Sequence, residues 1–417
     1  MPIGRPFWHL WSTFALASSG DGFAYGAVPL LAVVVNHHPL AVSAVAAADS
    51  LPWLLAALPA GLFADRFERG RLMAVVNIGR GILLAGLALL VAFHEINLAL
   101  LILFVLANGT ARTLYYSASQ AAIPELVPLG SLGRANGVIT GTEAATEHLV
   151  GPIIGAAVFT LRRLLPFVAD ASAVGVSGFA LLSLRTQPAD PASSGSIWDG
   201  VRLLRSDERL RVLVTLIAAL SGLQGLVAGI LVLVATRNWG VHASYYGVFL
   251  AAGAVGNVPG ALLADRIVTR IGSAATLISA AVVSGVAYVV MALAHSWMLA
   301  GPAFVVVGFS VAAGSVVAIS LRQQLTPNEL MGRVGSAWRG IVWGAAPVGA
   351  LLAGGLAVLG GLRLPILLAG AAQCLVAVAL ARPLLRRLRG AGSGAFGSGP
   401  RPSVFGGAAD GPDSLPE

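Results

Sequence analysis

Long apolar stretches recur along the whole chain, and short polar segments separate them. About twelve of these stretches can cross a bilayer, because a helix needs roughly 20 apolar residues to span about 30 Å of hydrocarbon. We place them at residues 7–34, 40–63, 72–94, 97–122, 134–160, 164–184, 211–236, 244–264, 273–294, 297–321, 336–359 and 363–385. The pattern predicts an all-α integral membrane protein with twelve transmembrane helices.

Composition supports a membrane protein rather than a soluble one. Of the 417 residues, 57% are hydrophobic and only 11% are charged, too few charges to cover a soluble surface of this size. The first stretch carries Asp21 and is too long for the apolar region of a cleavable signal peptide, so we expect it to remain as a helix. A single cysteine, Cys374, rules out an intrachain disulfide.

The net charge is +8, and most of the basic residues lie on one side of the predicted membrane arrangement. Arginines cluster in the connections on one side of the twelve-helix arrangement: Arg66, Arg69, Arg71, Arg202, Arg205, Arg209, Arg211, Arg266, Arg270, Arg382, Arg386, Arg387 and Arg389. Because basic residues mark cytoplasmic connections, we expect a multi-pass protein of the cytoplasmic (inner) membrane with both termini in the cytoplasm. The positive charge then serves contact with membrane lipids, and no nucleic acid partner is expected.

Two short motifs occur twice, at a separation of about 200 residues, which indicates duplicated halves related by an axis along the membrane normal. GLFADRF at residues 61–67 recurs as ALLADRI at 261–267, and GRANGV at 133–138 recurs as GRVGSA at 332–337. Transporters built in this way bind substrate between the halves, near the middle of the bilayer. The repeats therefore predict two six-helix bundles around a central cavity.

Composition changes divide the chain into four parts. Residues 1–185 form the N-terminal bundle, 186–209 a cytoplasmic linker, 210–388 the C-terminal bundle and 389–417 a disordered tail rich in Gly, Pro and Ser. Four apolar residues in the linker recur at helical spacing: Ile197, Trp198, Val201 and Leu204. They predict a short amphipathic helix on the inner membrane surface, with a solvated helix as the alternative.

Several of these residues resemble family signatures. Gly61, Asp65, Arg66, Arg69 and Arg71 resemble the cytoplasmic loop signature of the major facilitator superfamily, and Gly260, Asp265 and Arg266 resemble its weaker second copy. Gly151, Pro152 and Gly155 look like the Gly-Pro signature of the superfamily's drug:proton antiporters. Four longer stretches together look like its exporter branch that includes the enterobactin exporter and macrolide efflux proteins: SSGDGFAYGAVPLL, LPWLLAALPAGLFADR, SASQAAIPELVP and LRQQLTPNELMGRV. The resemblance covers residues 7–385 and implies the major facilitator fold.

The antiporter signature is an imperfect copy, because Ala156 replaces its next Gly and the second half has Ala346, Pro347 and Ala350. The turn from Asp65 to Arg71 can make charge contacts between neighbouring helix ends and so act as a gate. Alternatively, its arginines simply anchor the helix ends at the membrane interface. Gly151, Pro152 and Gly155 combine a lost backbone hydrogen bond with close helix approach. They predict either a hinge or plain tight packing.

Ionisable residues inside the apolar stretches give the best functional evidence, because each costs on the order of 2.5 to 3.5 kcal/mol at a helix centre. The candidates are all in the first half: Asp21, Arg112, Glu143, Glu147 and Asp170. The second half has almost no acids between Asp265 and Glu329, so we expect it to supply mainly an apolar wall.

Glu143 and Glu147 are four residues apart, on one face of a predicted helix. Two carboxylates this close repel each other, which favours a proton on one of them and suits a proton carrier. We predict Asp21, Glu143 and Glu147 as the protonatable groups, with Arg112 as their positive partner. Arg112 is expected to neutralise one of the two glutamates, Glu143 before Glu147, or to form a fixed structural pair. Asp21, in the small polar run SSGDG, faces the cavity or bonds neighbouring hydroxyls, and Asp170 is expected near the outer face, where it can snorkel.

The sequence has no HExxH or GxSxG motif and no Cys-His cluster, so neither an enzyme, a metal site nor a cofactor is expected. Several aromatic residues either line a cavity or pack against lipid: Trp53, Tyr115, Tyr116, Phe249, Trp338 and Trp343.

We predict a monomeric secondary transporter that exports a small amphipathic molecule, drug-like or siderophore-like, by proton antiport through alternating access. An uptake symporter and a lipid flippase are the alternatives.

Overall fold

The computed structural model describes residues 4–55, 67–184, 186, 197–327 and 330–388. Within these ranges the chain is helical, with no strand. The first set of helices is α1 (Arg5–Val35), α2 (Pro39–Leu55), α3 (Arg69–Ala92), α4 (Leu98–Leu126), α5 (Leu132–Leu161) and α6 (Leu165–Leu181). A short helix, α7 (Ile197–Ser206), lies in the connection. The second set is α8 (Glu208–Ala228), α9 (Leu231–Arg237), α10 (Tyr246–Ile271), α11 (Ser273–Leu293), α12 (Trp297–Leu325), α13 (Met331–Gly360) and α14 (Leu364–Arg387).

Ten helical segments in the described ranges are long and apolar enough to cross a membrane, and α2 and α6 are shorter apolar helices. Two predicted stretches differ in detail. The stretch 211–236 is two helices, because the chain breaks at Gly229 and Ile230 between α8 and α9. Residues 144–150 form π-helical turns within α5, directly before Pro152, whose missing N–H already interrupts the regular bonding pattern.

The two sets repeat the same helix pairs. In the first set α1 packs on α5, α2 on α4, and α3 on α6. In the second set α8 packs on α13, α10 on α12, and α11 on α14. The sets contact each other mainly through α2 against α13 and α5 against α10. The all-helical architecture with duplicated packing is as the repeats predict.

The two sets of helices pack together at one end of the molecule and are apart at the other. We call the end that holds α7 and Arg387 the linker end, and the opposite one the distal end. At the distal end, one buried apolar cluster contains residues of both sets, for example Leu31 and Phe159 with Val234 and Trp239. The described helices are therefore closed together there.

At the linker end, the buried apolar residues fall into separate clusters, one within each set. Phe7 and Met73 belong to the first set's cluster, and Leu210 and Leu321 to the cluster of the second set. One face of the linker-end half of α5 is also open, because no atom lies within 4 Å of the positions that a Cβ on Gly133, Gly137 or Gly141 would take. A cleft between the two sets therefore opens toward the linker end in the described part of the chain.

The connecting helix α7 packs on the second set. Asp199 accepts a hydrogen bond of 3.1 Å from Arg333 of α13, and Gly200 lies against the Arg333 carbonyl. Leu204 is buried in the second set's linker-end cluster, while Trp198 is exposed. The predicted amphipathic helix is present, and protein covers its apolar face in part.

Candidate functional site

A cavity of about 340 Å³ lies between the two sets of helices. The first set contributes Asp21 and Tyr25 from α1, Asp49 from α2 and Arg112 from α4 to its wall. The second set contributes Gln224, Tyr246, Leu250, Ala346 and Ala350. A pocket shared by both sets changes shape whenever they move relative to each other.

A buried network of charges forms the first set's side of this cavity. Asp21 accepts a hydrogen bond of 2.5 Å from Arg80 of α3, and its other carboxylate oxygen lies 3.6 Å from Nε of Arg112. Arg112 also donates a hydrogen bond to Glu147 of α5, which is 5% exposed. Two guanidinium groups and two carboxylates thus form a continuous chain across α3, α1, α4 and α5.

Arg80 was missed by the sequence analysis. It is 1% exposed and also donates to Asn108 at 2.9 Å and to Asn77 at 3.4 Å. Asn77 in turn bonds Ser177 of α6 at 3.2 Å. The signal was available, because an arginine within an apolar stretch is as costly as Arg112 and needs the same explanation.

Of the two glutamates, Arg112 binds Glu147 and not the preferred Glu143, and it also lies beside Asp21. The helices α4 and α5 run antiparallel, so Arg112 is level with Glu147, and Tyr116, one turn nearer the linker end, is level with Glu143. Glu143 is half-buried and forms no ion pair within the described residues. The two glutamates therefore occupy different environments.

Asp170 does not snorkel at the outer surface. It is 0% exposed, and its carboxylate packs directly against the Cα of Gly20, the neighbour of Asp21. Neither of its oxygens has a hydrogen-bond partner in the described part of the chain. The two arginines of the network already face two carboxylates, which leaves Asp170 as an additional buried acid.

The Gly-Pro motif lies where three helices meet. Gly151 packs against Gly22 of α1, and Gly155 packs against the backbone of Phe23. On the other side, the carbonyl of Pro152 lies against Gly247 of α10, in the second set. These contacts agree with the tight-packing interpretation. They also place the motif at the crossing of the two sets, so the hinge stays a prediction.

The predicted gate residues have three different outcomes in the structure. Gly61, Asp65 and Arg66 lie outside the described residues. Arg69 forms an ion pair with Glu125 and bonds the Ala121 carbonyl, so it joins α3 to α4 within the first set. Three other predicted gate residues are exposed and form no ion pair among the described residues, namely Arg71, Asp265 and Arg266.

The second set's wall of the central cavity is mainly apolar, as expected, with Leu231, Leu250, Ala346 and Ala350 beside the polar Gln224. Two basic residues of this set lie nearer the linker end. Arg322 of α12 and Arg339 of α13 lie at the linker end of the cleft, and neither forms an ion pair within the described ranges.

Two sets of apolar helices around a shared, charged cavity define a multi-pass membrane transporter. The chain belongs to the Major Facilitator Superfamily, whose family model matches residues 10–347.

Among its relatives is the enterobactin exporter EntS of Citrobacter koseri, 26% identical over 337 residues that cover 79% of this chain and 80% of that protein. EntS of Escherichia coli O139:H28 is 27% identical over 303 residues, which cover 71% and 72%.

Solved structures confirm the fold. A bacterial homologue of the human lysosomal transporter Spinster, in an inward-facing and occupied conformation, has a TM-score of 0.75 at 13% identity, covering 93% of this chain and 97% of that one. A mutant of the nucleoside transporter NupG has a TM-score of 0.72 at 13% identity, covering 92% and 100%. The chain is thus a major facilitator transporter of small-molecule substrates.

Proposed function

We propose that this transporter exports a small amphipathic molecule in exchange for protons, by alternating access to the cavity between its two sets of helices. The relatives named as enterobactin exporters favour export over uptake. The cavity wall combines apolar side chains, such as Val28 and Leu231, with charged ones, which suits an amphipathic substrate.

The buried charge network supports proton coupling and carries the proposal. Arg112 is shared between Asp21 and Glu147, so the two acids compete for one guanidinium. A proton on either acid weakens its bond to Arg112 and lets the other acid bind it more strongly. Because both Asp21 and Arg112 line the cavity, this exchange changes the charge that a substrate meets.

The geometry of the cleft supports alternating access. The distal cluster closes one end, while the linker end is open between α5 and α10. Both termini of the described chain and the arginines of the predicted inner connections, such as Arg71, Arg270 and Arg386, belong to the linker end. If that end faces the cytoplasm, as the positive-inside rule predicts, the described state is open toward the cytoplasm and ready to load an export substrate.

Proton antiport can be tested with purified protein in liposomes that contain a pH-sensitive dye. An imposed proton gradient is combined with a panel of lipophilic cations, macrolides and siderophores. We expect one compound to move against the direction of the protons. We expect Glu147→Gln to reduce this coupled proton movement to the level of empty liposomes, because the amide cannot carry the proton.

Glu95→Gln is the matched control, because Glu95 is exposed in the turn between α3 and α4. Movement of protons and compound in the same direction would contradict antiport and support a symporter. Proton coupling would be refuted if the compound moved at the same rate with and without the proton gradient, both in the unmodified protein and in Glu147→Gln.

A further inference from the structure

We propose that the linker end of the cleft contains a binding site for a carboxylate or similar anionic group attached to an aromatic body, formed by Arg322 and Arg339 beside a group of aromatic rings. The inference rests on the proposed function only in taking the cleft as the substrate path. It adds the chemical class of the substrate and the residues that select it.

The site continues the cavity by helix geometry. On α13, Arg339 precedes the cavity-lining Ala346 and Ala350 by two and three turns on one helical face. On α4, Tyr116 follows Arg112 by one turn, and on α2, Trp53 follows Asp49 by one turn. The faces of α2, α4 and α13 that line the central cavity therefore continue toward the linker end.

Three aromatic rings form a surface that both sets share. Trp53 contacts Trp343 of α13 edge-on, with 4.5 Å between ring centroids. On its other side Trp53 contacts Tyr116 of α4, with 5.6 Å between centroids. All three side chains are partly exposed, so part of each ring is open to contact with an apolar ligand.

The two guanidinium groups converge on Gly335 of α13, and Arg339 precedes Trp343 by one turn of the same helix. Nη1 of Arg322 and Nη1 of Arg339 each lie 3.8 Å from the position that a Cβ on Gly335 would take, so they are separated by at most twice that distance. One carboxylate can bridge such a span, since each charge-assisted hydrogen bond takes about 2.8 Å. Gly335 leaves this space free.

Neither arginine is neutralised by a carboxylate in the described part of the chain. Among the described residues, Arg339 donates a side-chain hydrogen bond to the Ser336 hydroxyl alone, at 3.3 Å. Arg322 lies over the Trp338 ring at 5.6 Å, and its Nε is buried without a hydrogen-bond partner. Because these adjacent cations repel each other and no carboxylate of the described residues neutralises them, binding of an anion between them is favoured.

The opposite wall fixes the orientation of the ligand. Glu143 of α5 is level with Tyr116 on the first set's side and offers an anion no positive charge there. The anionic group therefore binds to Arg322 and Arg339, and the aromatic body lies against Trp53, Tyr116 and Trp343. A neutral or cationic aromatic compound contacts the aromatic rings but gains no bond to the two arginines.

The test is calorimetric binding of three probes of one shape to the full-length protein in lipid nanodiscs: 2-naphthoate, 2-naphthamide and 2-naphthylmethylammonium. We expect 2-naphthoate to bind tightest. In Arg339→Gln its affinity should fall about tenfold to a hundredfold, the cost of losing a charge-assisted hydrogen bond. Affinity for 2-naphthamide should stay within about twofold, because the aromatic surface is unchanged.

Arg386→Gln is the matched control, since Arg386 is exposed at the end of α14, away from the cleft. Arg322→Gln should reproduce the selective loss, and Arg339→Lys should retain most of the preference for the anion. Equal affinity for the three probes, no binding of 2-naphthoate, or an equal loss for amide and anion in Arg339→Gln would overturn the proposal. Binding needs no gradient, so intact anion binding without coupled transport would count against proton antiport alone.

Discussion

Replacing Arg80 with methionine removes the guanidinium that holds Asp21 while keeping a long apolar side chain. The side chains of this pair are 0% and 9% exposed, so water cannot replace the lost bonds. Removing one partner of a buried ion pair typically costs about 3 to 5 kcal/mol, because the other charge stays buried. Arg80→Met also removes the donors to Asn77 and Asn108, which places the expected loss at the upper end of that range.

The loss can be measured as the free energy of unfolding in mixed detergent micelles. Asp21→Asn combined with Arg80→Met should recover a large part of it, because the uncompensated carboxylate is then absent. The coupling between the two substitutions gives the strength of the pair free of other effects.

Arg71→Met on the same helix is the control, and it should change stability by less than about 0.5 kcal/mol, since Arg71 is exposed. A loss of less than about 1 kcal/mol for Arg80→Met, or no recovery in the double variant, would refute the assignment of Arg80 as the fixed counter-charge of Asp21.

Two further predictions concern the buried acid and the open cleft. Asp170→Asn should leave the free energy of unfolding within about 1 kcal/mol of the unmodified protein, because no hydrogen bond to either carboxylate oxygen is lost among the described residues; a larger loss would reveal a partner. In a Cys374→Ser background, Gly137→Cys should react with a water-soluble maleimide much faster than Ala27→Cys, because Gly137 faces open space and Ala27 is 0% exposed in the distal cluster. Equal labelling rates at both positions would contradict a cleft that is closed only at the distal end.

The helices were predictable because each apolar stretch specifies its own secondary structure and burial. The prediction for 211–236 failed in one respect, since Gly229 and Ile230 break the helix and hydropathy alone does not register a break between two apolar segments. The cost of burying charge also singled out Asp21, Arg112 and Glu147, which the structure joins in one network, and it would have singled out Arg80.

The pairings within the site were not predictable from the sequence. Whether Arg112 meets Glu143 or Glu147 depends on the register of α4 against α5, which packing sets and which spacing along either helix does not contain. Asp170 and Gly20 are likewise brought together by the contact of α6 with α1. The convergence of Arg322 and Arg339 on Gly335 also joins two helices that the sequence treats separately.

The chain that connects the two sets is fastened at both of its ends. Thr186 accepts a hydrogen bond of 2.8 Å from the backbone of Gly70 in the first set, and Asp199 is bound to Arg333 in the second set. Any change in the separation of the sets at the linker end must therefore be absorbed between these anchors. At about 3.6 Å per extended residue, the eleven steps from Thr186 to Ile197 reach roughly 40 Å. The connection is thus a tether of fixed maximum length, and opening the cleft beyond it would require one of the two anchors to detach.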